Sequence, residues 1–443
     1  MGGDCLNFGC VPSKALIASA RAADRIRHAD RFGLEASEPV INFEQVMERM
    51  RARRAKIAPN DSQERFEKLG VEVFRGEAAF VSPHEVRVGD RILRARNFVI
   101  ASGTRPAIPK IEGIASVPYF TNETVFDKLE HRPGSMLILG GGPIGCELAQ
   151  AFARLGVKII LAQSGARLLP KEDTEVSALV LNTLTQDGVE CLVGAKALSV
   201  RRDGEGIVMV LQHDGADTEH RAAALLVAAG RAPNTESLNL EAAGVKTSKS
   251  GVEVNDFLQT SQPHIYAAGD IAGPFQFTHM ADYQARIVAR NILVPLSLMR
   301  QRTDYSAVPR CTYLDPEAAS LGLTEAEAKK QGVQYDLYST PLNELDRAVV
   351  EDETAGFVKV LTASGGDKIL GVTMVAAHAG ELIHEFALAM RHGIGLGKIS
   401  SVIHAYPTFA ELARKTGDAY QKTKLTPSAK RLFRWLYERA LKS

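Results

Sequence analysis

Two cysteines five residues apart, Cys5 and Cys10, have the spacing and surroundings of a redox pair. In one continuous α-helix, residues five apart lie too far from each other for a strain-free disulfide, so Cys5 is expected in a turn or a distorted helical turn. Pro12 fits the first position of a helix, which places Cys10 and Val11 at the helix N-terminus, where the dipole and N–H groups stabilise a thiolate. Lys14 adds a positive charge one turn further on.

Two alternatives to a redox pair are buried structural thiols and half of a zinc site. A structural zinc site usually needs a second pair of ligands, and Cys146, Cys191 and Cys311 are widely separated. Five cysteines are also too few for a disulfide scaffold in a chain of this size. A redox pair is therefore favoured, no metal site is predicted, and Cys311 is expected to be a small core residue at a strand.

The glycine-rich segment 140–145 has the pattern of a dinucleotide-binding loop. Gly140, Gly142 and Gly145 occupy the glycine positions of G-x-G-x-x-G, after the apolar run 136–139 and before a helical run. Glycines there permit a tight turn and let a pyrophosphate approach backbone N–H groups at a helix N-terminus. An ordinary glycine-rich turn is the alternative, but the strand before and the helix after favour dinucleotide binding.

The residue at the end of the following strand bears on the choice of dinucleotide. An acidic residue there would bind the ribose hydroxyl group of NAD and so favour that dinucleotide. The sequence has the neutral Gln163 instead. Arg167 and Lys171 follow closely. NADPH is therefore favoured over NADH, although both cations also fit a solvated loop.

Apolar runs that end in glycine alternate with helical patterns, which predicts parallel βαβ units and an α/β fold class. The runs are 98–103, 136–140, 225–230 and 265–270, and the helical patterns are 146–155 and 280–292. After about residue 300 the order changes. Strands at 308–321 and 357–375 precede helices at 380–392 and 408–420. This change indicates a separate α+β unit.

Length, composition and charge exclude several classes of protein. A chain of 443 residues, 45% hydrophobic and 24% charged, is globular and long enough for two or three domains. The formal charge of +1 provides no whole-chain field for nucleic acid, so no nucleic-acid partner is expected. No apolar run reaches the about 18 residues of a membrane span, and the first residues are not a secretory signal, so we expect a cytoplasmic protein.

Together these motifs resemble the class I pyridine nucleotide–disulfide oxidoreductases. The resemblance rests on C-x4-C followed by V-P-S-K at 5–14, the glycine loop at 140–145, Gly230-Arg231-Ala232-Pro233-Asn234, and Ala268-Gly269-Asp270, in the order and spacing of that family. It implies a homodimeric flavoprotein in which NADPH or NADH reduces FAD and the flavin reduces a Cys5–Cys10 disulfide. The implied fold has FAD- and NAD(P)-binding Rossmann-like domains and a C-terminal α+β dimerisation domain.

The resemblance also implies domain boundaries. Residues 1–130 and 251–300 would form the FAD-binding domain, 131–250 the NAD(P)-binding domain, and 305–443 the dimerisation domain. That family begins with a further G-x-G-x-x-G unit of about forty residues. We therefore expect the sequence to be truncated at its N-terminus, without the first βαβ unit of the FAD-binding domain.

Individual roles follow from the same resemblance. Cys10 would lie nearest the flavin as its charge-transfer thiolate, and Cys5 would be the interchange thiol that meets the acceptor. Lys14 and Glu147 would form an ion pair beside the flavin N5, although Glu147 also fits a plain helix N-terminal carboxylate. The implied cofactor-binding residues are Gly3, Asp4, Lys14, Ala101, Ser102, Gly103, Gly140, Gly142, Gly145, Glu147, Gln163, Gly230, Asp270 and Thr278.

Tyr406 is the main departure from the pattern of that family within the chain. Lipoamide dehydrogenases and glutathione reductases have a histidine there, which acts across the dimer with the glutamate five residues on, here Glu411. A phenol with a pKa near 10 is a poor base at neutral pH. Mercuric reductases carry a tyrosine at the matching place, which favours a mercuric-reductase-like enzyme. Tyr406 also fits a packed aromatic residue at the dimer interface.

The sequence therefore leaves three classes of electron acceptor: a small molecule, a metal ion and a disulfide. A dihydrolipoamide dehydrogenase or glutathione-reductase type of enzyme is the alternative activity. A non-catalytic homologue that binds a partner is the alternative from another class.

Residues 421–443 form a strongly basic tail. Its cations are Lys422, Lys424, Lys430, Arg431, Arg434, Arg439 and Lys442, and its one acid is Glu438. Thr426 and Pro427 fit the N-cap and first position of a helix, in which Leu432, Phe433, Leu436 and Ala440 share one face. This basic amphipathic helix is expected to contact an anionic membrane surface or a partner, or else to pack on its own dimer.

Overall fold

The computed structural model describes residues 1–294 and 296–441, which alternate between helices and strands. The α-helices are α1 (Gly3–Asn7), α2 (Cys10–Arg27), α3 (Phe43–Ile57), α4 (Gln63–Lys68), α5 (Asn122–Lys128), α6 (Pro143–Arg154), α7 (Thr174–Gln186), α8 (Thr278–Leu293), α9 (Glu325–Gln331), α10 (Asp346–Val350), α11 (Ala379–Arg391), α12 (Leu396–Ile399), α13 (Glu411–Thr423) and α14 (Pro427–Ala440). The strands are β1 (Ala78–Ser82), β2 (Glu85–Val88), β3 (Arg91–Arg94), β4 (Phe98–Ile100), β5 (Thr104–Pro106), β6 (Ser135–Leu139), β7 (Lys158–Gln163), β8 (Glu190–Val193), β9 (Lys196–Asp203), β10 (Gly206–His213), β11 (Ala216–Ala222), β12 (Ala224–Val227), β13 (Arg231–Pro233), β14 (Thr247–Ser248), β15 (Gly251–Val252), β16 (Ile265–Ala267), β17 (Pro309–Thr312), β18 (Glu317–Gly322), β19 (Tyr335–Pro341), β20 (Phe357–Ala363) and β21 (Ile369–Ala376). Pro295, Lys442 and Ser443 lie outside the described residues, so the basic tail is described up to Leu441.

The glycine-ended apolar runs form two pairs of parallel strands. β4 pairs with β16, and β6 pairs with β12 inside a four-stranded parallel sheet of order β12-β6-β7-β8. Met136, Leu137 and Ile138 of β6 have no exposed surface, as expected for a central parallel strand that is covered on both faces. The predicted α/β class is confirmed.

The C-terminal part of the chain has a different architecture. Its five strands form one antiparallel sheet of order β17-β18-β21-β20-β19, and α11 and α13 pack against that sheet. The two predicted strand regions each divide into two strands, because the chain reverses direction within each of them. The predicted α+β unit is therefore present, whereas the exact boundaries between cofactor-binding domains stay a prediction.

A buried cation connects the C-terminal sheet to the four-stranded parallel sheet unit. The side chain of Lys359 on β20 is 5% exposed, and its Nζ lies 2.8 Å from Asp173 Oδ2 and 3.2 Å from Glu325 Oε2. Asp173 precedes α7, so the ion pair spans the two units. Loss of Lys359 is expected to cost about 3–5 kcal/mol, because the buried Asp173 carboxylate would lose its cation.

No helix in the described ranges is both long enough and apolar enough to span a bilayer.

Candidate functional site

Cys5 and Cys10 lie on two successive helices that meet at a break in the chain. α1 ends at Asn7, and α2 begins at Cys10 itself. Gly9 occupies the break, where an added Cβ would lie 3.0 Å from Asp4 Oδ2. Cys5 therefore lies outside the helix of Cys10, but in a short helix of its own rather than in the predicted turn or distorted helical turn.

The predicted start of that helix is wrong by two residues. Pro12 is the third residue of α2 rather than the first. Proline is tolerated throughout the first turn because the N–H groups there have no intrahelical partner. Cys10 therefore lies in the first turn, as expected, where the helix dipole favours a thiolate.

The two thiols have opposite acid strengths. The pKa of Cys10 is lowered to about 6, chiefly by a hydrogen bond from Cys5. Burial acts in the opposite direction. A hydrogen bond with Thr278 and the positive charge of Lys14 lower the pKa further. The same hydrogen bond, together with burial, raises the pKa of Cys5 far above its ordinary value. At neutral pH Cys10 is therefore a thiolate and Cys5 a thiol. Cys10 is exposed and Cys5 is half-buried.

Thr278 brings a second helix N-terminus to the cysteine pair. It is the first residue of α8, and its Oγ1 lies 3.5 Å from Cys10 Sγ. The starts of both helices therefore lie beside the Cys10 sulfur, where the positive ends of their dipoles favour a thiolate. The predicted site residue Thr278 lies beside Cys10.

Lys14 and Glu147 form the predicted ion pair. Lys14 Nζ donates to Glu147 Oε2 at 2.8 Å, and the Glu147 side chain is only 6% exposed. The backbone N–H of Tyr313 donates to the other carboxylate oxygen at 2.8 Å. Lys14 also lies over the Tyr313 ring, 4.4 Å from its centroid. The sequence analysis did not identify Tyr313, because this residue follows β17 and is far from Lys14 and Glu147 in the sequence.

Asp4 and Asp270 lie around one guanidinium group. Arg231 is 3.4 Å from Asp4 Oδ1 through Nη2 and 3.8 Å from Asp270 Oδ2 through Nε. Thr104 Oγ1 donates to Asp270 Oδ2 at 2.9 Å, and Asn122 Nδ2 donates to Asp4 Oδ1 at 3.0 Å. Burial raises the pKa of the Asp270 carboxyl. Arg231 follows Gly230 in the Gly-Arg-Ala-Pro-Asn motif, a signal that could have identified it.

Two glycines leave open space beside these carboxylates. Gly3 and Gly103 have φ values of +55° and +67°, and an added Cβ would meet no atom within 4 Å at either position. Ala101, Ser102 and Gly103 follow β4, where Ser102 Oγ donates to the Asn234 carbonyl at 2.8 Å. The open backbone and the Asp270 carboxylate, which can accept hydrogen bonds from hydroxyl groups, are compatible with a bound flavin.

The glycine loop adopts the strand–turn–helix form that was predicted. An added Cβ at Gly145 would clash with the carbonyl oxygen of Gly140, whereas Gly142 at the N-cap of α6 faces open space. Gln163 Oε1 accepts from the N–H of Gly141 at 2.9 Å, which ties the end of β7 to this loop. Gly230 has a φ of +131°, and its carbonyl accepts from Ala107 N–H at 2.9 Å. These residues fit a dinucleotide.

The two cations near Gln163 differ in their surroundings. Arg167 Nη1 donates to Thr174 Oγ1 at 2.8 Å, and its Nη2 donates to the Pro170 carbonyl at 3.0 Å. Lys171 is exposed. The preference for NADPH stays a prediction.

Tyr406 and Glu411 have polar partners other than the cysteines of their own chain. The Tyr406 side chain is exposed, and its hydroxyl donates to Asp346 Oδ2 at 2.9 Å, which raises its pKa. Glu411 is buried and pairs with Arg414 at 2.9 Å. Among the described residues, neither side chain bonds Cys5 or Cys10. Asp346 was missed because no local pattern links it to Tyr406.

The other three cysteines have different surroundings from the pair. Burial raises the pKa of Cys146, Cys191 and Cys311 above the ordinary thiol value. Within residues 1–294 and 296–441, no group of three or more His, Cys, Asp or Glu side chains is arranged to hold a metal ion.

Comparison with known proteins assigns most of the chain to one protein family. Residues 1–285 match the family model of the pyridine nucleotide-disulphide oxidoreductases, and residues 308–416 match the dimerisation domain of the same family. A mercuric reductase of Staphylococcus aureus is 34% identical over 412 residues, which cover 93% of this chain and 75% of the relative. A dihydrolipoyl dehydrogenase of Bacillus subtilis is 33% identical over 427 residues, or 93% and 89% of the two chains.

A solved structure shows the same fold. The HOCl-induced flavoprotein disulfide reductase RclA from Escherichia coli superposes with a TM-score of 0.81 at 26% identity, over 94% of this chain and 90% of RclA. A Cu(II) complex of RclA gives a TM-score of 0.82 at 25% identity, over 94% and 90% of the two chains.

The family to which these proteins belong consists of FAD-binding enzymes that take electrons from NAD(P)H. The family models cover most of the chain, and the cysteine pair, the ion pair and the glycine loop stand where the motifs predicted them. The chain is therefore a member of the pyridine nucleotide–disulfide oxidoreductase family of flavin-dependent enzymes.

Proposed function

We propose that this enzyme uses NADPH to reduce a small thiophilic acceptor at Cys5 and Cys10, in the manner of a mercuric reductase, with Hg(II) as the favoured acceptor. The observation that carries the proposal is the position of Cys10 at the start of α2 and 3.5 Å from Thr278 at the start of α8, with Cys5 beside it, an arrangement that lowers the pKa of Cys10 and raises that of Cys5. Thiolates are the ligands that soft metal ions prefer. Cys5, the thiol that would meet the acceptor, is only half-buried, so part of its surface is open to a small molecule or ion.

FAD and NADPH, when bound, supply two-electron hydride chemistry. Asp270, Gly3, Asp4 and the backbone at Ala101–Gly103 are the proposed flavin-binding residues. Gly140, Gly142 and Gly145 would bind the dinucleotide pyrophosphate, and the neutral Gln163 would tolerate a 2′-phosphate. The proposed domains are 1–130 with 251–300 for FAD, 131–250 for NADPH and 305–443 for dimerisation.

The protonation states of the pair determine the proton balance at the sulfur atoms. Reduction of a Cys5–Cys10 disulfide consumes two electrons and produces a thiolate at Cys10 and a thiol at Cys5. It therefore takes up one proton, which Cys5 holds and donates in a hydrogen bond to Cys10. Transfer of both electrons to Hg(II) would reform the disulfide, release that proton and yield Hg(0).

Lys14 acts on this site through its charge. Its ammonium group lowers the pKa of Cys10, and Glu147 holds the ammonium in place at 2.8 Å. Because the Glu147 carboxylate is buried and also accepts from Tyr313 N–H, the lysine has one strongly preferred position.

Tyr406 supports a metal-ion acceptor over a dithiol. The hydrogen bond to Asp346 raises the pKa of its hydroxyl, so the phenol stays neutral at pH 7 and is a poor general base. In a homodimer formed through the dimerisation domain, the exposed Tyr406 and the nearby Glu411 would face the cysteine pair of the partner. A lipoamide or glutathione-disulfide reductase would need a base there.

Alkylation of the reduced enzyme tests the acid strength of Cys10. We expect iodoacetamide to modify Cys10 with a rate that rises through a pKa of about 6. Cys5→Ala removes the hydrogen bond that is the largest cause of the shift, so the midpoint should move to higher pH. Cys5→Ser keeps a hydroxyl donor and is the control. An unchanged midpoint in Cys5→Ala would contradict this account of the pair.

Turnover of the cysteine variants tests the proposed function. Hg(II)-dependent NADPH oxidation should fall at least about a hundredfold in Cys5→Ser and in Cys10→Ser, because each variant leaves one sulfur atom. The matched control is Cys191→Ser, which alters a thiol outside the site. Binding of FAD, followed by its visible absorption, should persist in all three variants. Full turnover in Cys5→Ser would refute transfer through the pair.

Replacement of Tyr406 distinguishes the two acceptor classes. Tyr406→His supplies a base, whereas Tyr406→Phe removes the hydroxyl alone. Under the proposal, Hg(II)-dependent oxidation of NADPH falls in both variants and activity with lipoamide or glutathione disulfide stays low. A rise of about a hundredfold or more with either disulfide in Tyr406→His, the range that a general base provides, would instead identify a disulfide reductase.

A further inference from the structure

The C-terminal helix α14 exposes its apolar side chains. None of its residues is buried, and Thr426 caps its start by accepting a hydrogen bond from Ala429 N–H at 3.2 Å. The exposed large apolar residues of this segment are Leu432, Phe433, Trp435, Leu436, Tyr437 and Leu441, each between 47% and 69% exposed. The helix also lies outside the residues matched by the dimerisation-domain model, which end at 416. The described chain therefore leaves this apolar surface uncovered.

The same helix carries a high density of positive charge. Residues 421–443 contain seven Lys and Arg residues and one Glu, whereas the whole chain has a formal charge of +1. The rest of the chain is therefore net acidic. The net positive charge of the chain is therefore concentrated in residues 421–443.

Helical geometry separates most of the cations of α14 from its apolar side chains; the exception is Arg439, which lies seven residues after Leu432 and so on the apolar side. At about 100° per residue, Leu432, Leu436 and Phe433 point to one side, and Lys430 and Arg434 point away from it. Trp435 and Tyr437 fall on opposite borders between the faces. Arg439 lies over the Trp435 ring, 5.4 Å from its centroid. Amphipathic aromatic residues at such borders are typical of a helix that lies at a membrane–water interface.

We infer that α14 docks the enzyme on the surface of an anionic lipid bilayer. A bilayer provides both an apolar layer for Leu432, Phe433 and Leu436 and a plane of negative headgroups for the cations beside them. A second copy of the chain provides a poorer partner, because a two-fold axis through this helix would bring equal sets of cations together. Charge complementarity therefore favours the bilayer. The helix follows α13 after three residues, so it would hold the catalytic chain close to that surface.

Vesicle binding of the FAD-loaded full chain tests this inference without any turnover. The probes are vesicles of phosphatidylcholine alone and vesicles with about one third phosphatidylglycerol, followed by co-sedimentation. We expect binding to the anionic vesicles only, and a decrease in binding as salt concentration rises. Trp435 is the one tryptophan in the sequence, so its emission should shift to shorter wavelength when the helix binds.

Variants separate the apolar from the ionic contribution. Phe433→Ser with Leu436→Ser, and Lys430→Gln with Arg434→Gln, should each weaken binding about tenfold or more. Lys246→Gln with Lys249→Gln removes two exposed charges elsewhere and should leave binding unchanged. Sedimentation velocity of each variant without lipid should give the oligomeric state of the unmodified protein.

Three results would overturn the inference. Absence of binding to anionic vesicles would remove its basis. An equal loss of binding in the Lys246 and Lys249 variant would show non-specific attraction. A change of oligomeric state in the Phe433 and Leu436 variant would show that a second copy covers the apolar face.

Discussion

The hydrogen bond between the Cys5 thiol and the Cys10 thiolate is the interaction on which the rest of the site depends. It gives two chemically identical side chains opposite protonation states at neutral pH. Such a difference requires the sulfur atoms to lie together and nearby positive charge to favour the thiolate at Cys10. The break at Gly9 between α1 and α2 provides the first condition, and the starts of α2 and α8 with Lys14 provide the second.

The packing of α2 determines where this charge is placed. The helix carries both Cys10 and Lys14, and it packs against α6, which carries Glu147. Leu16 and Ile17 of α2 belong to the same buried core as Leu148 and Phe152 of α6. The glycine loop starts α6, so one helix carries the ion pair at its side and the proposed dinucleotide site at its N-terminus. Movement of α6 would therefore affect both.

Local patterns were sufficient to predict the fold class, the glycine loop and the cysteine pair, because spacing and hydrophobic periodicity determine them. The Lys14–Glu147 contact, 133 residues apart in sequence, came from the family resemblance alone. Contacts made by tertiary packing, such as Arg231 with Asp4 and Asp270, were not predictable from spacing. The predicted start of α2 was two residues too late, because proline is tolerated at any position in the first turn of a helix and so does not mark its first residue. For α14, the pattern predicted an amphipathic helix and its cap, but not that its apolar face stays exposed.

The central claim is that electrons from NADPH reach the Cys5–Cys10 pair, and differential alkylation tests it most directly. Trypsin cleavage after Lys14 releases both cysteines in one peptide, residues 1–14. The FAD-loaded protein is incubated without oxygen, with or without NADPH, and then denatured in the presence of iodoacetamide, so that the folded environment no longer suppresses the reactivity of Cys5. The account predicts a disulfide-linked, unmodified peptide without NADPH and a doubly alkylated peptide with it. A peptide whose alkylation does not change while the enzyme oxidises NADPH would contradict the claim.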